Sequence, residues 1–179
     1  GTQRANTEEE LESILGKDIP HHYRIIKNDC GAKDSHRVIG TTKGGNEVSI
    51  HREFLECDLK VLTGFIEPHF FAGFSGGGKA IMPGLAHLKT IQKNHGALNI
   101  DNENARWGQT VGNPIWEDIL SAAEMVNNTF LLNVSMNRDK QITGVFAGGV
   151  RQAHAQGCAH VKDQAMAKVP HLYDIVITG

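Results

Sequence analysis

Three consecutive glycines, Gly76, Gly77 and Gly78, constrain this chain more than any other feature. They close the segment HFFAGFSGGGK (residues 69–79), which follows the apolar run LKVLTGFI (59–66). Consecutive glycines lose more backbone entropy on folding than other residues, so an ordered chain needs a use for them. Backbone N–H groups freed of Cβ atoms can converge on an anion. A bulky ligand can also lie directly on the chain. Both uses suggest a phosphate or nucleotide, and a tight turn with a solvated lysine is the plain alternative. The apolar run predicts a buried strand. His69 then sits at that strand's C-terminal end, the edge where open α/β sheets bind ligands.

Residues 73–79 satisfy the first seven positions of the phosphate-binding pattern G-x-x-x-x-G-K-[ST]. Residue 80 is alanine, so the hydroxyl that would hold Mg²⁺ is missing. The apolar run also ends well before Gly73. A nucleoside triphosphatase of this type would show Mg²⁺-dependent hydrolysis, and the pattern argues against one.

The rest of the chain alternates strand and helix signals. Thr7 and Glu10 have capping-box spacing, followed by Leu11, Ile14, Leu15 and a stop at Gly16. Strands are expected at 23–27, 37–41 and 47–51, the last two joined by a Lys43–Asn46 turn. Residues 88–94 read as helix. Asn113-Pro114 starts another, with Ile115, Ile119, Leu120, Ala123 and Val126 at helical spacing. FLLNVSM and QITGVFA read as two strands turning at 137–140. Residues 150–168 read as helix and 173–178 as a last strand. The fold class is therefore α/β, a mixed sheet with flanking helices. No repeat or linker divides residues 1–179, so they read as one domain. The start without methionine and the end on an apolar strand and glycine suggest a fragment of a larger two-domain protein.

The net charge of −2 offers no basic field for nucleic acid or an anionic membrane. No apolar run approaches a membrane span. Cys30, Cys57 and Cys158 are odd in number and far apart, which fits free thiols in a reducing, cytoplasmic setting. A lone histidine such as His69 is more often a hydrogen-bonded loop residue than a catalyst. His95, in QKNHG, could cap a helix or bind nickel, copper or zinc.

The segment GFIEPHFFAGFSGGGKAIMPGLA, followed by TIQKNHG, resembles the signature region of the nickel-dependent lactate racemase family. That family carries an upstream G-T-H-R motif, a P-H-x-x-A-G-F-S-G-G-x-K segment and an N-H motif, and counterparts occur here in order. The resemblance covers nearly the whole chain. It implies a nickel pincer nucleotide: a pyridinium-derived ring with sulfur and carbon donors to nickel, joined to a ribose phosphate. Lys79 matches the lysine that carries it covalently, and His95 matches the nickel ligand. His69 matches the acid/base on the substrate hydroxyl. Ser75, Gly76, Gly77 and Gly78 match the cofactor-binding loop, and Arg4 the substrate-binding arginine.

The chain departs from the family at residue 3. Where G-T-H-R has a second catalytic histidine, this chain has Gln3. An amide hydrogen-bonds but takes up no proton near neutral pH. The resemblance implies a racemase or epimerase acting on a small 2-hydroxyacid, served by cofactor-biosynthesis proteins. The alternative is a cofactor- or nucleotide-binding homologue that does not racemise.

Overall fold

The computed structural model describes residues 2–167, 169–171, 173–175 and 177. Helix α1 spans Glu8–Leu15, with Thr7 as N-cap. The Glu10 amide donates to the Thr7 hydroxyl at 3.2 Å, and the Thr7 amide donates back to the Glu10 carboxylate at 2.9 Å. Two otherwise orphaned donors are thus satisfied, as the spacing predicts. Nothing on α1 is buried, and Ile14 stays exposed. A short helix α2 follows at Asp18–His22, which the sequence did not suggest.

Residues 23–27 form no strand. Tyr23 and Ile26 are exposed and no neighbouring strand pairs with them. Strands β1 (His36–Thr41) and β2 (Glu47–His51) form the expected antiparallel hairpin. Short helix α3 (Arg52–Glu56) leads to β3 (Lys60–Phe65). Beyond the glycine segment come α4 (Leu88–Asn94), α5 (Ala97–Ile100) and α6 (Pro114–Glu124). Then follow β6 (Thr129–Met136), β7 (Ile142–Gly148) and α7 (Val150–Ala165), while the glycine segment itself holds two short strands, β4 (Pro68–His69) and β5 (Gly73–Phe74). The last strand expected, at 173–178, includes Val176 and Thr178, which lie outside the described residues.

The central sheet runs β3-β6-β7, parallel between β3 and β6 and antiparallel between β6 and β7. One face carries Leu62 and Leu131 into a core with Ile115, Ile119, Ala123 and Ala153. Helix α7 packs on β6 and β7, and α6 on the glycine segment. The strand at 59–66 is not buried on both faces. It alternates, with Leu62 3% exposed and Val61 51% exposed. Val61, Phe65, Phe130, Leu132 and Val145 line the outer face and are exposed. Among the described residues the helices cover one face only, so the apolar run divides between a buried and an open side.

No helix of the described residues is long and apolar enough to cross a membrane. The three cysteines are free thiols, with Cys158 buried.

Candidate functional site

The segment after β3 folds back on itself. Strands β4 (Pro68–His69) and β5 (Gly73–Phe74) pair antiparallel, Pro68 with Phe74 and His69 with Gly73. Gly73 has φ +81°, and a Cβ there would collide with the Gln109 carbonyl. Asn113 ties this hairpin to α6. Its Oδ1 accepts from the amides of Ile115 (3.0 Å) and Trp116 (3.3 Å) as helix N-cap. Its Nδ2 donates to the carbonyls of Phe71 and Gln109, both at 2.8 Å.

Phe71 sits between the two candidate histidines. Its ring meets His69 edge-on at 4.7 Å and His95 edge-on at 5.2 Å. Residues 26 apart in sequence thus share one aromatic seat. His95 is the C-cap of α4, and its Nδ1 donates to the Ile91 carbonyl at 3.2 Å. That bond leaves the lone pair of the neutral ring on Nε2, the form a metal can use. His95 thus caps the helix through Nδ1, and that bond does not use Nε2.

His69 is set differently. Its Nδ1 accepts from the Ala72 amide at 3.3 Å, a weak contact that biases the neutral ring towards the Nε2–H tautomer. Burial lowers its pKa to about 4, with lesser contributions from Lys79 and His95. The ring is therefore neutral near pH 7. To act as a base through Nε2 it must take the other tautomer, losing one weak hydrogen bond.

The three glycines face inwards. Gly77–Ala80 forms a single 3-10 turn, and the Lys79 amide donates to the Gly76 carbonyl at 3.2 Å. A Cβ on Gly76 would lie 2.6 Å from Asn133 Oδ1, and one on Gly77 2.6 Å from the His154 ring. A Cβ on Gly78 would press on Ala123 and Ile119 at 3.0 and 3.2 Å. Close packing against β6, α6 and α7 thus accounts for all three. The Gly77 amide is already engaged, donating to Asn133 Oδ1 at 2.7 Å, so it is not free for an anion. Ser75 is engaged as well. Its hydroxyl donates to the Phe65 carbonyl and accepts from the Glu67 amide, both at 2.9 Å.

Lys79 is half-buried, and burial lowers its pKa to about 8 against a weaker opposing effect of Glu67. Its charge helps lower His69, His95 and His154, after burial in each case. The lysine therefore belongs to the same electrostatic neighbourhood as both candidate histidines. A lowered pKa leaves an appreciable share of free amine near neutrality, the form that acts as a nucleophile.

Gln3 shares an open cavity of about 490 Å³ with His95, lined also by Thr2, Pro83, Ile91 and Gln92. Arg4 does not line it. Both its terminal nitrogens donate to the Glu10 carboxylate, at 2.9 and 2.6 Å, on an exposed surface. A second cavity, of about 470 Å³ between Arg24, Asn28, His51 and Cys57, holds none of the motif residues. Among the described residues no cluster of three or more His, Cys, Asp or Glu side chains is arranged to hold a metal.

The family described as the lactate racemase N-terminal domain matches residues 1–108. This chain belongs to that family. The lactate racemase of Thermoanaerobacterium thermosaccharolyticum is 39% identical over 179 residues, covering 100% of this chain and 42% of the relative. The lactate racemase of Lactiplantibacillus plantarum is also 39% identical, covering 99% and 42%. The apoprotein structure of the Thermoanaerobacterium enzyme superposes with a TM-score of 0.89, covering 91% of this chain and 39% of that one. A Thermotoga maritima protein, 23% identical, shares the fold at a TM-score of 0.75, covering 91% and 45%. The chain thus spans 42% of the length of these curated lactate racemases.

Several site residues escape sequence reasoning within this lactate racemase domain. Phe71 lies inside the glycine segment without a chemical signature of its own. Asp118 accepts from Asn94 Nδ2 at 2.9 Å and Asn46 Nδ2 at 2.8 Å, and also from the Thr42 hydroxyl. Asp118 therefore anchors Asn94, the residue before His95. The available signal was a polar Asp118 within the apolar stripe of α6. His154 interrupts the buried face of α7 in the same way, between Ala153 and Gly157.

Proposed function

We propose that this lactate racemase domain carries the cofactor-tethering half of a nickel-dependent 2-hydroxyacid racemase or epimerase. The observation that carries the reading is the common seat of His69 and His95 on Phe71, with Lys79 coupled electrostatically to both. The residues fit the implied cofactor: Lys79 would hold the pincer nucleotide covalently, and His95 would ligate its nickel through Nε2. When bound, that group would supply hydride acceptance and return at the substrate α-carbon. His69 would move the proton of the substrate hydroxyl, accepting it through Nε2 and returning it to the same oxygen. The remaining nickel donors would come from the nucleotide.

Gln3 shapes the expected kinetics. It lines the cavity beside His95 but supplies no base. General-base help is worth about 10²–10⁴-fold. With His69 as the one base, single-turnover rates for the two enantiomers of the true substrate should differ widely, and Gln3→His should narrow the gap by accelerating the slow one. Equal wild-type rates with no response to Gln3→His would show that residue 3 is not a base position. The equilibrium ratio of enantiomers is unaffected either way.

Gln3 also favours a second reading, a cofactor-binding homologue that does not racemise. A chirality assay on nickel-loaded protein from cells expressing the cofactor-biosynthesis proteins separates the two. The substrate would be a small hydroxyacid and the setting a reducing cytoplasm, in keeping with the free thiols.

A further inference from the structure

Behind the glycine loop lies a side-chain cluster that the proposed chemistry does not use. His154 is 2% exposed. Its Nε2 donates to the Ser75 carbonyl at 2.8 Å, across 79 residues of sequence. Its ring stacks on Trp116 at 4.3 Å and 21°. The Cys158 sulfur lies 3.4 Å from Nδ1, one helical turn on. That sulfur is also 3.5 Å from Nε2, so it lies beside the ring and not along one lone pair. The Ser75 carbonyl is the acceptor that sets the proton of the neutral ring on Nε2. From the sheet side, Asn133 Oδ1 holds the Gly77 amide at 2.7 Å.

We propose that His154 is a positioning residue for Lys79, acting with Asn133 as a clamp that fixes the glycine loop from behind. The clamp grips Ser75 and Gly77, the two neighbours of Gly76. The Gly76 carbonyl in turn receives the Lys79 amide and closes the 3-10 turn. The hydrogen bonds from α7 to Ser75, from Gly77 to β6 and from Lys79 to Gly76 are all 3.2 Å or less, joined through the backbone of residues 75–77. Gly76 and Gly77, at φ +74° and +59°, would otherwise sample the widest backbone space of any residues. The clamp removes that freedom, and the collision of any Gly77 side chain with His154 and Trp116 shows how closely the loop rests on it. His154 is placed to touch the loop, not the cavity beside Gln3. Its importance for chemistry rests on the proposed role of Lys79, but the clamp is a property of this chain alone.

The test compares wild type with His154→Gln, which keeps an N–H donor, and His154→Leu, which does not. Amide hydrogen exchange is followed across residues 72–82 and across β6. The pH profile of Lys79 acetylation by an N-hydroxysuccinimide ester is read by peptide mass. In the leucine variant the loop amides should exchange roughly tenfold or more faster while β6 stays protected. The Lys79 profile should move up from about 8 towards that of an exposed lysine. His154→Gln should restore both readouts. A folded leucine variant with wild-type exchange and profile overturns the clamp, as does a glutamine variant indistinguishable from leucine. If the leucine variant does not fold, the wild-type imidazole ¹⁵N spectrum decides. A neutral ring protonated on Nε2 at about pH 6 is expected, and one protonated on Nδ1 overturns the proposal. An intact clamp with Lys79 unmodified in cofactor-loaded protein would sink the tether and leave the clamp standing.

Discussion

Asn94 on α4 donates from Nδ2 to the Asp118 carboxylate on α6 at 2.9 Å, and so pins the residue next to His95 to the core. The same carboxylate holds Asn46 and Thr42 from the β1–β2 turn. Asp118→Ala would leave an N–H on each asparagine and the Thr42 hydroxyl without this acceptor. Unsatisfied buried groups cost roughly 1–3 kcal/mol each, so a loss of about 3 kcal/mol or more is expected. Urea unfolding of this variant should show the midpoint fall at an unchanged slope. A loss below about 1 kcal/mol would mean that water replaces the network.

The alternation along β3 makes a second contrast. Leu62 is 3% exposed and Val61 51% exposed. Leu62→Ala should cost about 2–5 kcal/mol as a core truncation. Val61→Ala should cost less than about 1 kcal/mol, a matter of strand preference. Similar losses at both positions, measured by thermal or urea unfolding, would show that the outer face is covered in solution.

Gly77 and Gly45 both have positive φ, at +59° and +74°, but only Gly77 is crowded. Gly45→Ala, with open space around it, should cost about 1–2 kcal/mol for the backbone conformation. Gly77→Ala carries the same term plus overpacking of roughly 1–3 kcal/mol. Unfolding of the two variants should rank them in that order. Equal losses would mean that the loop shifts away from His154 at little cost.

Much of the fold was legible because its signals are local. The Thr7 capping box, the Asn113-Pro114 helix start, the 88–94 helix and both hairpin pairs depend on residues within a few positions of each other. The strand expected at 23–27 failed because Ile25 and Ile26 are apolar without a partner strand to pair with. The β4–β5 pair was hidden because a two-residue strand carries no period. His69, Lys79 and His95 stand out by motif. Phe71, Asn133, Asp118 and His154 do not, since their roles arise from contacts 24 to 79 residues apart that only packing creates. The glycines were visible as a feature, but the surface they accommodate was not.

Acid should loosen the fold through His154. Burial holds its pKa at about 4, against about 6.5 in the unfolded chain. As pH falls from about 6.5 to 4, the unfolded chain takes up a proton that the native ring refuses, so stability falls with pH and levels off below that window. The shift corresponds to about 3 kcal/mol, as an order of magnitude. Stability curves between those limits should flatten in His154→Gln. An unchanged slope in that variant would assign the acid sensitivity elsewhere, with the half-buried His69 next in line.

Peptide mapping shows whether Lys79 carries the proposed cofactor. The sample is the protein isolated in its full-length form from cells that also express the cofactor-biosynthesis proteins, with nickel content measured on the same preparation. The peptide containing Lys79 should carry a covalent adduct of nucleotide mass. Lys79→Arg, which keeps the charge but is a far poorer nucleophile, should abolish the adduct without loss of stability. Nickel-loaded, active protein whose Lys79 peptide has its unmodified mass would contradict the account.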